Sequence, residues 1–362
     1  MAKGARQGLG GLGGGDRVAI QPVGAKTTLK VLGDVIRYRI RPSIRHLILH
    51  VTNVCNMRCQ HCFVNFEEKP NDLSFQEIEA VAREINDLIW LDIGGGEPCL
   101  RKDLVEVVGL FRAREISIPT NGWFPDRITR VAEAIHERTP GRLIITVSLD
   151  GFEGTHDEIR MKGSFKKAHE TIRGLLQIQG LRVKVNTVLC ERNAGEVLDF
   201  MRYVRDLGVA YQSLLLLRGN PINPLYKLPP MDTLRKIGEQ LPAILEGYEF
   251  GRKGFFRSVL RNYQAVKWQT QLQTLEQETQ VIPCLGGQIH LVVYANGEVA
   301  PCEILPSVGS IRETPLGEII SGPAWAEAVA GIRRKECHCT HDCNQQENIL
   351  FSPRTYPRLL GL

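Results

Sequence analysis

The sequence predicts an α/β fold: a partial, TIM-like (β/α)6 barrel followed by a small, cysteine-rich C-terminal α+β domain. Strand-like and helix-like segments alternate roughly every thirty residues between positions 45 and 217, which is typical of parallel strands joined by helical crossovers. Eight of the ten cysteines fall into two groups, one near the start of this alternation and one close to the C-terminus. These two observations divide the chain into a barrel and an appended domain.

The N-terminal segment 1–42 precedes the alternating region. Residues 1–16 are rich in glycine and predict a flexible segment. Residues 27–40 place apolar side chains at helical spacing among basic ones, which predicts an amphipathic helix. Such a helix either packs on the main domain or meets a membrane or an acidic partner.

The barrel is predicted over 43–230. A capping box of Ser74 and Glu77 marks the start of its first crossover helix. The strands are expected at 46–52, 90–95, 116–122, 142–151, 182–190 and 211–217. The helices are expected at 74–88, 103–114, 126–138, 165–177 and 194–208.

The remainder of the chain follows a proline-rich loop. Residues 231–280 show mostly helical patterns and predict a helical connector. Residues 281–362 form the predicted C-terminal domain, in which 289–303 indicates a hairpin with Asn296 and Gly297 at a tight turn.

Composition excludes several classes of protein. A formal charge of +5 on 362 residues is too small to indicate a nucleic-acid partner. Neither a bilayer-spanning apolar run nor the apolar core of a signal peptide is visible, so membrane association is not expected. Ten cysteines without a secretory signal favour metal or redox chemistry in a reducing compartment, and we predict a cytoplasmic protein.

The first group of cysteines lies on one short loop after the first predicted strand. Cys55, Cys59 and Cys62 have the spacing C-x3-C-x2-C. Three thiolates hold three irons of a [4Fe–4S] cluster and leave the fourth iron open for another ligand. A structural zinc site that includes His61 is the alternative, but the adjacency of His61 and Cys62 makes joint tetrahedral ligation awkward.

Four further motifs accompany this loop, and together they resemble the radical S-adenosylmethionine (SAM) superfamily. The sequence GGGEP at 94–98 ends the second strand, TNG at 120–122 ends the third, and SLDG at 148–151 ends the fourth. Arg160 follows in HDEIRMKGSF. The resemblance covers about residues 45–220, and active sites of such barrels lie at these strand ends.

The resemblance implies a set of cofactor contacts. It places a SAM-binding [4Fe–4S] cluster on Cys55, Cys59 and Cys62, and it assigns the SAM carboxylate to Arg160, whose planar guanidinium suits that group. The other contacts that it implies involve the SAM amino group, the ribose and the adenine. They are Gly95, Gly96, Glu97, Asn121, Ser148, Asp150, Asn186, His61 and Phe63.

The C-terminal cysteines indicate a second metal site. They are Cys284, Cys302, Cys337, Cys339 and Cys343, and they resemble the auxiliary-cluster domains called SPASM and twitch. Five cysteines suffice for one four-thiolate [4Fe–4S] cluster with one cysteine spare. Zinc held by these cysteines with His338 or His341 is the alternative.

The expected activity follows from the resemblance. The chain would cleave SAM reductively to a 5′-deoxyadenosyl radical, with electrons from a donor such as flavodoxin or ferredoxin, and would oxidise, epimerise or cross-link a peptide or protein. A sugar, cyclitol or lipid-linked small molecule is the alternative substrate, and a non-enzymatic iron–sulfur or zinc protein is the third possibility. Cys99 and Cys190 stand alone at strand ends, where a thiol could donate a hydrogen atom to a substrate radical; the alternative is that both are small buried side chains.

Overall fold

A nine-stranded sheet organises the chain. The computed structural model describes residues 43–64, 71–251 and 253–362, together with Gly33 and Tyr38. The strand order is β6-β5-β4-β3-β2-β1-β7-β8-β9. The strands are β1 His46–Thr52, β2 Asp87–Gly95, β3 Arg112–Thr120, β4 Leu143–Ser148, β5 Arg182–Leu189, β6 Tyr211–Leu216, β7 His290–Val293, β8 Glu298–Ala300 and β9 Gly309–Ser310.

The first six strands are parallel and confirm the predicted partial barrel. Both faces of β1 are covered, because Leu47, Leu49 and Val51 join the main apolar core while Ile48 and His50 face the barrel interior. Strands that are buried on both faces have nearly continuous apolar sequences, which is why residues 46–52 can be predicted as a strand. Parallel strands with this order bring all their C-terminal ends to one edge.

The crossover helices pack on the outside of the sheet. Helix α1 begins with the predicted capping box, in which the Ser74 hydroxyl accepts from the Glu77 amide at 3.2 Å and the Glu77 carboxylate accepts from the Ser74 amide at 2.7 Å. The helices of the barrel are α1 Phe75–Glu84, α2 Leu104–Gly109, α3 Pro125–Arg138, α4 Glu153–Ile159, α5 Ser164–Leu176 and α6 Val197–Asp206.

Several predicted boundaries differ from the structure, most clearly around the second crossover helix. Strand β2 begins at Asp87 and strand β3 at Arg112, so the second crossover helix is shorter than the predicted 103–114. Asp87 pairs with Arg112 in the sheet, and this long-range backbone pairing overrides the local helical pattern.

The C-terminal part continues the same sheet. Strand β7 pairs with β1 in parallel, and β7 and β8 form the predicted antiparallel hairpin. The helices of this part are α7 Met231–Leu245, α8 Gly254–Gln277, α9 Leu316–Ser321, α10 Pro323–Arg333, α11 Asp342–Leu350 and α12 Tyr356–Leu360. Helix α11 contributes Asp342, Cys343 and Gln346 to the wall of the barrel interior.

The helix predicted at 27–40 lies outside the described residues apart from Gly33 and Tyr38. Tyr38 is buried, with its ring centroid 5.0 Å from that of Phe351. Among the described residues, no helix combines the length and the apolar character that crossing a bilayer requires.

Candidate active site and auxiliary cysteine site

The three cysteines of the first loop line a cavity of about 180 Å³ at the C-terminal ends of the strands. We call it the thiolate cavity. Burial raises the pKa of Cys59 to about 11, although the Arg160 guanidinium acts in the opposite direction. A thiolate at this depth is therefore stable only beside positive charge, which a metal centre supplies. The donor set of three convergent thiols fits a [4Fe–4S] cluster with an open iron.

The glycine run at the end of β2 packs directly against this loop. The Gly96 amide donates to the Thr52 carbonyl at 2.7 Å, and the Glu97 amide donates to the Val54 carbonyl at 2.9 Å. A Cβ at position 96 would lie 2.2 Å from the Val54 carbonyl oxygen, so only glycine permits this approach. The spacing of the two strand-end loops thus depends on the glycine at position 96.

Glu97 is buried and lies at the wall of the thiolate cavity. Its carboxylate accepts from the Asn121 amide at 2.7 Å and from the Cys99 amide at 3.2 Å. Burial raises the pKa of Glu97, and these hydrogen bonds oppose the shift. Asn121 also lines the cavity, where its side-chain amide donates to the Asn56 oxygen at 2.8 Å.

A buried ion pair fixes Arg160 at the same cavity. Its Nε donates to Asp150 Oδ2 at 2.6 Å, and its Nη1 lies 3.7 Å from Cys59 Sγ. His61 Nε2 lies 3.0 Å from the same Asp150 oxygen. Asp150 itself is fully buried and does not line the thiolate cavity, and its contact with SAM stays a prediction. The structure places it behind Arg160 and His61, where it orients both side chains.

A second and larger cavity of about 330 Å³ occupies the barrel interior. We call it the interior cavity. Ser148 and Phe63 line both cavities, whereas Asn186 lines only the interior one. Arg218 covers the Phe63 ring, with its guanidinium carbon 4.6 Å from the centroid.

Several residues of the interior cavity were not predicted. They include His50, Lys184, Arg218 and Glu303. Lys184 could have been found, because strand alternation puts it on the same face as Asn186. Glu303 could not, since its position depends on β7 joining β1.

The five C-terminal cysteines lie in two places, four together at one cavity and the fifth at another. Cys284, Cys302, Cys337 and Cys339 line one small cavity, which fits a four-thiolate site. Cys343 instead lines the interior cavity, and its Sγ lies 3.4 Å from Glu303 Oε2. His341 also turns toward Glu303, with its Nδ1 3.8 Å from Oε2, so it is not aimed at the four thiols. His338 lies at the edge of the four-cysteine cavity.

The two isolated cysteines lie elsewhere. Cys99 belongs to the main apolar core, and Cys190 packs with Ile159 and Leu217 in a small buried cluster. Neither lines the thiolate cavity or the interior cavity. This placement agrees with the alternative of small buried side chains and gives no support to a hydrogen-donor role.

Comparison with known families agrees with both cysteine sites. The Radical SAM superfamily matches residues 49–221, and the iron–sulfur cluster-binding domain called SPASM matches residues 284–344. An enzyme that uses SAM and [4Fe–4S] clusters is therefore the class that the fold and these matches define. The chain belongs to the radical SAM superfamily and carries a C-terminal SPASM domain.

Individual relatives match parts of the chain. A probable GTP 3',8-cyclase of Saccharolobus islandicus is 32% identical over 221 residues, which are 59% of this chain and 69% of that protein. The Fe-coproporphyrin III synthase of Methanosarcina barkeri is 33% identical over 163 residues, or 42% of this chain and 38% of that protein.

Solved structures share the fold at low identity. Streptococcus suis SuiB bound to S-adenosylmethionine has a TM-score of 0.60 and 13% identity, over 84% of this chain and 72% of SuiB. The anSMEcpe enzyme with bound AdoMet has a TM-score of 0.57 and 16% identity, over 88% of this chain and 98% of the other.

Proposed function

We propose that the chain abstracts a hydrogen atom from a substrate held in the interior cavity, using a radical generated at the thiolate cavity. The observation that carries this proposal is the shared wall of the two cavities. The residues that line both are Phe63, Gly95, Gly96, Pro119, Ser148, Leu215 and Arg218. When bound, SAM and its cluster supply a 5′-deoxyadenosyl radical, and a substrate in the adjoining space lies within reach of it.

The residues of the thiolate cavity take distinct roles in this proposal. Cys55, Cys59 and Cys62 hold the cluster. Arg160 faces the cavity with its guanidinium fixed by Asp150, and it binds the SAM carboxylate. Glu97 receives the SAM amino group, because its carboxylate is already held at the wall by two backbone amides.

The wall around these groups completes the cofactor site. Phe63 provides an apolar face for the adenine, and its ring is held in place by Arg218. Asn121 and Ser148 offer polar contacts from the ends of β3 and β4. Asn186 faces the interior cavity, so we assign it to the substrate instead of to SAM.

We assign the auxiliary cluster to Cys284, Cys302, Cys337 and Cys339, which leaves Cys343 free of it. Gln280 supports this site, since its Nε2 donates to the Ile332 and Cys337 carbonyls at 2.9 Å. An external one-electron donor of the flavodoxin or ferredoxin class supplies the electrons.

A peptide or protein segment is the first substrate class that we propose. SuiB has been solved with a precursor peptide and anSMEcpe with a peptide, and both share this fold. A small anionic molecule is the second candidate, favoured by Lys184 in the interior cavity and by the 32% identity to a protein named for acting on GTP. The cavity volume is at the lower end of the range for small-molecule sites, so it takes one residue or one small molecule at a time.

Anaerobic reconstitution tests the activity. The protein should release 5′-deoxyadenosine from SAM on reduction, and Cys59→Ala should abolish this release. Cys343→Ala is the matched control, because it removes a thiol from outside both cluster sites and should retain the release. A reconstituted protein that binds iron at Cys55, Cys59 and Cys62 without cleaving SAM would refute the proposal.

The two substrate classes separate in the same assay. Extract fractions that stimulate 5′-deoxyadenosine release are treated with protease before addition. Loss of stimulation supports a peptide or protein, whereas retained stimulation supports the small molecule.

A further inference from the structure

The charged side chains at the interior cavity are paired with one exception. Each of its four carboxylates has a cationic or histidine partner within 3.2 Å. The pairs are Asp92 with His46 at 3.1 Å, Glu115 with Arg182 at 2.8 Å, Glu303 with Arg218 at 3.2 Å and Asp342 with Lys267 at 2.7 Å. The acidic side of this wall is therefore already neutralised.

Lys184 is the exception. It points into the cavity from β5, and among the described residues no carboxylate lies within ion-pair distance of its ammonium group. Its Nζ lies 5.2 Å from the centroid of the Tyr211 ring. The ring attracts the ammonium group electrostatically, but it gives the three N–H donors of that group no hydrogen-bond acceptor.

The neighbours of Lys184 are also unsatisfied. In the pairing of β4 with β5, Thr146 lies opposite Lys184. Two residues nearer the C-terminal ends of these strands, Ser148 lies opposite Asn186. The Thr146 hydroxyl and the Asn186 side-chain oxygen are buried without a hydrogen-bond partner. Buried polar atoms are nearly always paired, so atoms left unpaired on one cavity face are available to a group that enters the cavity.

This face combines a cation with neutral donors. Lys184 offers an ammonium, and Thr146 and Ser148 offer hydroxyls, whereas the unpaired Asn186 oxygen is an acceptor and suits a donor of the substrate instead of an anion. Two adjacent strands hold them at one spacing, because alternate residues of a strand share a face. The ammonium and the hydroxyls are complementary to a small oxyanion, whose oxygens accept several hydrogen bonds at once.

We infer that Lys184 and Thr146 form a subsite for an anionic group of the substrate, a carboxylate or a phosphate. This inference rests on the proposed function, since it names one end of the molecule whose hydrogen is abstracted. Thr146 and Lys184 lie one pleat deeper in the barrel than Ser148, which borders the thiolate cavity. The anionic end of the substrate therefore lies deeper in the interior cavity, and the carbon atom that reacts stays near the strand ends.

The lowered pKa of Lys184 is consistent with this arrangement. Burial lowers that pKa, and the more distant carboxylates of Asp342, Asp92 and Glu115 only partly offset the effect. An anion bound beside Nζ would raise that pKa again, so substrate binding and protonation of this lysine are coupled.

Isothermal titration of the reconstituted full-length protein with inorganic phosphate and, separately, with acetate tests the subsite. We expect one of the two probes to bind at one equivalent, and the probe that binds identifies the anion. Lys184→Met should weaken that binding about tenfold or more, as loss of a charge-assisted hydrogen bond does. Lys184→Arg should keep most of it.

Lys167→Met is the matched control, because Lys167 is exposed on α5 and pairs with Glu170. It removes the same charge and should leave probe binding unchanged. The inference is overturned if neither probe binds, or if Lys184→Met binds the probe as tightly as the unmodified chain. Release of 5′-deoxyadenosine without substrate is measured on the same samples. If neither probe binds the unmodified chain while that chain still releases 5′-deoxyadenosine, the subsite fails and the proposed activity stands.

Discussion

Replacing Asp150 with asparagine tests the ion pair behind the thiolate cavity. Asparagine keeps the shape of the side chain and can still accept the Val188 amide, which donates to Asp150 at 2.8 Å. It removes the negative charge that faces Arg160 and His61. The variant therefore isolates the charge from the packing.

The expected loss of stability is large because both partners are buried. The Asp150 side chain is 0% exposed and that of Arg160 is 8% exposed. Removing one member of a buried pair leaves the other charge uncompensated, which costs about 3–5 kcal/mol of unfolding free energy. Burial alone would raise the pKa of Asp150, but Arg160 and His61 outweigh it and hold that pKa well below its ordinary value.

The sign of the pH effect follows from that shift. A carboxyl whose pKa is lower in the folded state stabilises the fold above its unfolded pKa, and this contribution is lost as the pH falls below about 4. The difference in unfolding free energy between the unmodified chain and Asp150→Asn should therefore be full at neutral pH. It should shrink in acid.

Urea denaturation of the cluster-free chain measures the difference. Asp199→Asn is the control, since Asp199 pairs with Arg202 at 2.7 Å on the surface, where such pairs contribute about 0–1 kcal/mol. If Asp150→Asn loses no more stability than Asp199→Asn at pH 7, the ion pair does not hold this region. SAM binding by the reconstituted variant should weaken in parallel, because Arg160 loses its fixed orientation.

Three further predictions concern other parts of the molecule. Cys343→Ala should retain about eight irons per chain on reconstitution, whereas Cys339→Ala should retain about four, since each cluster holds four irons; equal iron contents would contradict the assignment. Gly96→Ala should lower SAM cleavage about a hundredfold, because its Cβ separates the two strand-end loops; unchanged release of 5′-deoxyadenosine would contradict this. Burial tends to lower the pKa of His46, but the Glu347 and Asp92 carboxylates outweigh it and raise that pKa to about 10. Thermal unfolding should show that the contribution of His46 to stability is complete below pH 6.5 and decreases as the pH rises towards 10. Glu347→Gln should remove most of this pH dependence.

The sequence was sufficient for the fold class and for the clustering of most cofactor residues. Strand ends are marked by local signals, such as the glycine run before Glu97 and the cysteine spacing after β1, and parallel strands bring these ends together. The positions of Asn121 and Ser148 at the thiolate cavity follow from this geometry, whereas Arg160 reaches the cavity from the end of helix α4. Their roles stay predictions.

Side-chain direction within a turn was not predictable. Asp150 follows a strand end as Ser148 does, yet it turns away from the cavity to meet Arg160 and His61. Cys343 lies in one short cysteine cluster with Cys339, but the first turn of α11 directs it to the barrel interior. Such outcomes depend on contacts between residues far apart in sequence, which local patterns do not record.

The pairing of β1 with β7 has a consequence for synthesis of the protein. His46 pairs with Trp90 on one side of β1 and with His290 on the other. On the ribosome, the strand that leads into the first cysteine loop gains its first neighbour early but keeps an unpaired edge until the C-terminal hairpin emerges. An unpaired strand edge in a nascent chain is a site for aggregation. Truncation before His290 should therefore yield insoluble protein even though the whole barrel sequence is present, and maturation of the first cluster should await completion of the chain.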